Sequence, residues 1–217
     1  MITSAPASVV FDVPTDYRAE LAARSDRIRL LEIPERRYLA IEGTDAPGGR
    51  AFQDAISTLY PVAYTLHFAL RKRGIQAPVG ALEGLFWIGE PGPMPLELLA
   101  GMLEQPPGWT WRLLLPIPES AGEEEVEAAR DAVERKQRPP RLGELRWEPW
   151  AEGRVAQIMH LGSYDAEVPT IQRLHAAIAE RGLRMRGCHH EIYISDPRTT
   201  RLERVKTVIR QPVTLQD

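Results

Sequence analysis

Apolar positions along the chain change period several times, and the changes predict an alternation of strands and helices. Residues 38–43 alternate as a strand, and Asp45-Ala46-Pro47-Gly48-Gly49 reads as a loop. Phe52, Ala55, Ile56, Leu59, Ala63, Leu66 and Leu70 then recur at helical spacing. Arg71, Lys72 and Arg73 complement the helix dipole at its end, and Gly74 suits the residue just past it. Pro61 removes a backbone donor inside this helix, so a kink or break is expected between Ser57 and Pro61. Strands are predicted at 81–88 and 109–116, with the Pro/Gly-rich loop 89–108 between them. A loop of that length suits a lid or pocket wall.

A second helix is predicted over 120–136. Ser120 and Glu123 form a candidate capping box, with Arg135 and Lys136 in the last turn. Its thin apolar stripe, Val126, Ala129 and Val133, marks it as a surface cover. Strands at 145–150 and 154–161 follow, turned by Gly153. Gly162-Ser163-Tyr164-Asp165 then leads into a helix carrying Ile171, Leu174, His175 and Ile178, ended by Glu180-Arg181-Gly182. Strands at 189–195 and 204–211 complete the chain. Each half therefore reads strand, helix, strand, strand. The expected fold is α+β: two duplicated modules, about 37–118 and 144–213, with antiparallel sheets and a ligand cleft between the halves. Residues 1–36 are expected to form an N-terminal arm with one short helix near 17–24, ahead of a single domain over 37–217.

The two halves also share a local motif. Aligning Glu90-Pro91 with Asp196-Pro197 superimposes Trp87 on Tyr193 and Leu85 on Glu191. Side chains alternate along a strand, so Glu83, Leu85 and Trp87 share one face, and His189, Glu191 and Tyr193 share its expected counterpart. This arrangement predicts one carboxylate, Glu191, in a cleft with aromatic and aliphatic walls. Burial among aromatic neighbours perturbs a carboxylate and fits it to attract a cation or act as a base towards water. The competing reading is a carboxylate at a sheet edge paired with one of the many arginines.

Other residues add to the candidate site. Tyr60, Tyr64 and His67 lie at i, i+4 and i+7 along the flank of the first helix, where they either line the cleft or sit as boundary residues with wet polar tips. Tyr64 is the candidate catalytic hydrogen-bond donor. Trp87, Trp109 and Trp111 are expected at inward-facing strand positions, as core or as flat walls for a planar or cationic ligand. His160, His175, His189 and Glu191 match no established zinc spacing, and no metal or other cofactor is expected. The chain has no phosphate-binding glycine loop and no nucleophile elbow.

Composition narrows the partners. The 217 residues are 43% hydrophobic and 26% charged, with a formal charge of −3, which gives no electrostatic reason to expect nucleic acid. The lone cysteine, Cys188, excludes an intramolecular disulfide framework. Neither a signal-peptide pattern nor an 18-residue apolar stretch is present, so no membrane association and a cytoplasmic location are expected.

The most specific stretches are Gln157-Ile158-Met159-His160-Leu161-Gly162-Ser163-Tyr164, His189-His190-Glu191-Ile192-Tyr193-Ile194-Ser195-Asp196-Pro197-Arg198 and Lys206-Thr207-Val208-Ile209-Arg210-Gln211-Pro212. Tyr60-Pro61-Val62-Ala63-Tyr64-Thr65-Leu66 and Leu82-Glu83-Gly84-Leu85-Phe86-Trp87 join them. Through these stretches the chain, from about Asp16 to Val213, resembles the stand-alone kind of the GyrI-like small-molecule-binding family. The resemblance implies duplicated strand-helix-strand-strand modules with a cleft between them. It also implies kinship with effector-binding domains of multidrug-responsive transcription activators, where a pocket glutamate at the position of Glu191 recognises lipophilic cations. Some stand-alone members look like hydrolases that open the cyclopropane of planar DNA-alkylating compounds, an activity suited to detoxification or self-resistance. Phe86 stands where many relatives carry a second tryptophan, and Ser163 where proline is usual. Phe86 is expected to face away from the cleft.

The resemblance thus implies a planar aromatic or cationic small molecule as partner. Glu191 would activate a water, helped by His189, and Tyr64 would donate to the carbonyl conjugated with the strained ring. The alternative is a non-catalytic sequestering or sensing protein.

Overall fold

A computed structural model describes residues 9–100 and 108–216. Along the chain run helix α1 (Tyr17–Glu20), strands β1 (Arg29–Ile33) and β2 (Arg36–Thr44), helix α2 (Arg50–Lys72), strand β3 (Leu82–Ile88), helix α3 (Leu96–Ala100), strand β4 (Trp109–Ile117) and helix α4 (Glu123–Lys136). Strands β5 (Arg146–Trp150) and β6 (Gly153–Leu161), helix α5 (Val168–Glu180), and strands β7 (Leu183–Met185), β8 (His189–Tyr193) and β9 (Lys206–Leu215) follow. The main sheet has the order β1-β6-β9-β8-β3-β4-β2-β5, and β7 pairs with β9 off this path. The ladders joining these strands are antiparallel.

That order confirms the expected α+β duplication. The first module, β2-α2-β3-β4, contributes β3-β4-β2, and the second, β6-α5-β8-β9, contributes β8-β9-β6 in mirrored order. The halves meet where β3 pairs with β8, with Gly84 opposite Glu191. The N-terminal residues add an edge strand the sequence did not announce: β1 pairs with β6, Arg29 opposite Gln157. The short helix near 17–24 is a single turn, begun by Asp16 accepting a hydrogen bond from the Ala19 amide at 2.7 Å.

Two helix details differ from expectation. Helix α2 runs unbroken through Pro61. Only one rung is lost there, and Thr58, Leu59, Val62 and Ala63 bury both sides of it. Helix α4 begins at Glu123 rather than Ser120, because Glu125 reaches back to the Gly122 amide at 2.9 Å.

Alternation along the strands separates two unlike faces. On one face, Leu39, Ile41, Phe86, Trp109, Trp111, Leu113, Ile158 and Ile209 form one core with the buried sides of α2, α4 and α5. Phe52 of α2 meets the Trp111 ring edge-on at 5.1 Å and stacks on Phe86 at 6.3 Å. Such pairs each contribute about 0.5–1.5 kcal/mol beyond area burial. Gly43 makes this possible, since a Cβ there would lie 2.4 Å from the Trp111 ring.

The opposite face holds a buried ionic network. Arg210 lies 2.9 Å from Glu152 and 3.0 Å from Glu20, and its Nε donates to Gln157 Oε1 at 2.9 Å. Arg36 pairs with Glu20 at 2.6 Å, and His190 sits between Glu152 at 2.9 Å and Glu83 at 3.1 Å. Tyr17 donates to Glu83 at 2.9 Å, which ties the N-terminal turn to the module seam. Burial opposes the charge on His190, but Glu152 and Glu83 outweigh it and push His190 up to about 9. Burial likewise opposes the Glu152 charge, yet His190 and Arg210 hold that carboxyl at about 2. Three acids thus face three bases.

Removing one member leaves an uncompensated buried charge, so Arg210→Met should destabilise the protein by about 3–5 kcal/mol in urea unfolding. The raised His190 value has a sign that can be read. The folded state binds the proton more tightly, so its stabilisation is complete below about pH 6.5 and lost as pH rises through about 9. In His190→Gln, the fall in urea midpoint across that window should flatten.

Candidate functional site

Beneath α2 and α5, the seam of the two modules carries the candidate chemistry. Glu191 is 4% exposed and sits on the helix-covered face, opposite Gly84 on one side and Ile209 on the other. His189 Nε2 lies 3.1 Å from Glu191 Oε1, a geometry in which the ring donates to the carboxylate. The Tyr193 hydroxyl also hydrogen-bonds towards Glu191, and burial first and then the Glu191 charge hold that phenol protonated. Tyr164 meets the Tyr193 ring edge-on at 5.6 Å, and burial followed by the Glu191 charge pushes its hydroxyl up to about 12.

A second carboxyl joins the first. Glu167, on the last residue before α5, turns inward, is 4% exposed, and lies against Glu191 and Thr207. Burial and then the Glu191 charge raise its pKa well above the carboxylate range. Glu167 Oε1 is buried without a donor, as expected of a carboxyl that carries a proton and gives it to a neighbouring acid. His175 of α5 is held down to about 4, by burial and then by His189. Its Nε2 and His189 Nδ1 are both buried without partners.

The two modules also approach each other away from the seam. Tyr60 from α2 packs against the core, and Tyr60 and Tyr164 both feel the charge of Asp196 in the β8–β9 connection. Helix α3, from the loop expected to act as a lid, packs on α5 of the other module and buries Leu99. The rest of that loop, 101–107, lies outside the described residues.

Several expected site residues sit elsewhere. Leu85 and Trp87 do not share a cleft with Glu191. The β3–β8 register puts Gly84 and Phe86 on the Glu191 face, and Leu85 opposite His190 on the other. The sequence alignment through Glu90-Pro91 and Asp196-Pro197 was one residue out of step, and a one-residue slip turns every side chain to the opposite face. Leu85 and Trp87 instead line a cavity of about 430 Å³ beside the ionic network, with Trp150, Arg112, Arg186 and Cys188. For the same reason Phe86, expected to face away, belongs to the Glu191 face, and its ring lies over Gly84.

Trp109 and Trp111 share that face but are fully enclosed with Phe52 and Phe86, and act as core. His67 is occupied structurally: Nδ1 hydrogen-bonds the Ala77 carbonyl, and the ring edge meets Phe68. Tyr64 is 48% exposed and stacks between Tyr60 at 6.2 Å and Phe68 at 6.4 Å. Its hydroxyl makes no hydrogen bond among the described residues. Glu83, of the same strand as Trp87, is consumed by Tyr17 and His190. His160 is taken up by Thr170 and the Ser163 carbonyl, each at 3.0 Å.

Two copies of one supersecondary module thus join in a single sheet, with a buried acid at the junction. Residues 142–214 match the GyrI-like small molecule binding domain. Three solved Listeria innocua structures share the fold over nearly their whole length. An uncharacterized conserved protein is 29% identical with a TM-score of 0.79, covering 90% of this chain and 96% of its own. A hydrolase is 27% identical with a TM-score of 0.76, covering 93% and 99%. A hydrolase encoded by lin2189 is 28% identical with a TM-score of 0.77, covering 91% and 96%. The EcmrR C-terminal domain shares the fold at 13% identity and a TM-score of 0.55, covering 88% and 98%. No curated protein sequence matches the chain. No helix among the described residues is long and apolar enough to cross a membrane, and no group of three metal-ligating side chains occurs among them.

Gly84, opposite Glu191, leaves room for the Phe86 ring. A Cβ there would lie 2.7 Å from the Phe86 ring and 3.4 Å from the Tyr193 hydroxyl. Gly84→Ala should therefore cost about 1–3 kcal/mol of stability by overpacking. A thermal melt reads that cost.

Proposed function

We propose that the Glu191 cleft belongs to a cofactor-independent hydrolase that opens the cyclopropane of planar, electrophilic, DNA-alkylating compounds, a detoxifying or self-resistance activity. One observation carries this reading. Glu191 is nearly buried, is oriented by His189, and has the phenols of Tyr193 and Tyr164 beside it. The resemblance to two structures described as hydrolases supports it. So does the GyrI-like match.

In the proposed reaction the planar substrate enters between Tyr60, Tyr64 and Tyr164. Glu191 takes a proton from a water, and the water oxygen bonds the unsubstituted cyclopropane carbon. The broken carbon–carbon bond delivers its electron pair into the ring, which becomes aromatic as its carbonyl oxygen becomes a phenolate. A tyrosine then protonates that oxygen and recovers a proton from Glu191, so the net change is the addition of one water. Tyr164, which the Glu191 charge reaches, suits this role better than the exposed Tyr64. His189 positions Glu191.

Non-catalytic capture of a lipophilic cation is the second reading, and the same buried acid among aromatic rings favours it. Mass spectrometry of a cyclopropanoid compound incubated with the protein separates the two. Gain of one water over many turnovers supports the hydrolase, and unaltered stoichiometric ligand supports the binder.

Glu191→Gln should lower turnover by roughly 10²- to 10⁴-fold while ligand affinity changes little. Unchanged turnover would remove Glu191 from the chemistry. Tyr164→Phe should slow single-turnover ring opening more than Tyr64→Phe does, and the reverse order would return the donor role to Tyr64.

A further inference from the structure

We propose that Glu167 makes the cleft selective for cations by exchange: the proton it carries in the free protein leaves when a lipophilic cation enters beside Glu191. The inference rests on the Glu191 cleft being the ligand site, and it adds a residue and a linkage that this reading does not contain.

The geometry asks for such an exchange. Two carboxyls, Glu167 and Glu191, are buried side by side, and neither forms an ion pair with a lysine or arginine among the described residues. Two adjacent acids cannot both ionise cheaply, so one holds a proton. Glu167 is the holder, because its Oε1 has no donor while Glu191 already accepts from His189. A ligand cation supplies the positive charge the site lacks and removes the reason for keeping the proton.

The other groups facing the pair do not exchange protons in the same window. From β8, Tyr193 stays protonated, as does Tyr164 of the turn before α5. His175 of α5 stays neutral above about pH 4. At the rim, Asp196 is held ionised by Arg198, and Tyr60, raised chiefly by burial, keeps its proton. Thr207 of β9 does not titrate, Asp165 contributes a further negative charge, and His189 is the remaining imidazole.

The sign follows from linkage. The cation lowers the pKa of Glu167, so the bound protein carries fewer protons than the free one. Affinity therefore rises with pH between the bound-state and free-state values. An opposite charge within a few ångströms shifts a carboxyl by about 1–3 units, which sets a total gain of roughly 10- to 1000-fold.

The test is calorimetric titration of the full chain with methyltriphenylphosphonium between about pH 6 and pH 9.5, with neutral triphenylphosphine oxide as the isosteric control. Phosphonium affinity should climb by roughly 10-fold or more across the range, the oxide should show no such climb, and Glu167→Gln should flatten the phosphonium curve. Binding that is independent of pH in the unaltered protein overturns the exchange and leaves the ligand cleft standing. A slope that survives in Glu167→Gln, or an equal slope for the oxide, also overturns it by assigning the proton to another group such as His189. Absence of phosphonium binding at every pH, with the oxide bound, overturns it together with cation recognition. If neither compound binds, the ligand-cleft reading fails as well.

Discussion

Antiparallel pairing of β3 with β8 is the constraint on which the molecule depends. It closes two modules into one sheet, and it fixes by register which side chains meet on each face. His189, His190 and Glu191 are consecutive, yet alternation sends the first and third to the helix-covered face and the second into the ionic network behind it. The seam is therefore both the mechanical join and the partition between structure and chemistry. Gly84 opposite Glu191 shows how tight the join is, because a Cβ there would run into the Phe86 ring.

The two faces treat buried charge differently. Behind the sheet, Glu20, Glu83 and Glu152 are matched by Arg36, Arg210 and His190, with Tyr17 and Gln157 supplying further hydrogen bonds. A balanced network of this kind is expensive to break from one side but asks for nothing from outside. In front of the sheet, the polar groups around Glu191 and Glu167 are His189, phenols, Thr207 and Asp165, with no lysine or arginine paired to either acid among the described residues. That imbalance is tolerated by retaining a proton, and it is the kind of perturbation that marks a site rather than a strut.

Much of this was legible along the chain. The stripe from Phe52 to Leu70, the Gly-ended helices and the strand–helix–strand–strand order recur as predicted, because helical and strand periods are set by burial on one face. Glu191 was legible as well, as an acid among apolar and aromatic strand residues. The relation between the halves was not, since Glu90-Pro91 and Asp196-Pro197 end their strands one residue out of phase. Sequence alone cannot measure a one-residue offset between loops, yet that offset moved Trp87 to the far face. Glu167 was missed because an acid beside a helix start, followed by Val168 and Pro169, reads as a solvated first-turn charge. Only the approach of Thr207 from β9 and Glu191 from β8 shows that it points inward.

On the proposed reading, an unbalanced acid would let one architecture serve either binding or catalysis. A lipophilic cation brings its charge with it, and the carboxyl pair stabilises it in the ground state. A neutral cyclopropanoid brings none, but as its carbon–carbon bond loosens the attacked carbon gains positive character. An acid aimed at that carbon then interacts more strongly with the transition state than with the bound substrate, the condition for acceleration rather than mere retention. The difference between a binder and a hydrolase on this fold thus reduces to where Glu191 points relative to an electrophilic carbon, and whether a water fits between them. Because His189 and the strand register fix the carboxyl, the variable left to this reading is the set of phenols beside it, Tyr193 of β8 and Tyr164 before α5.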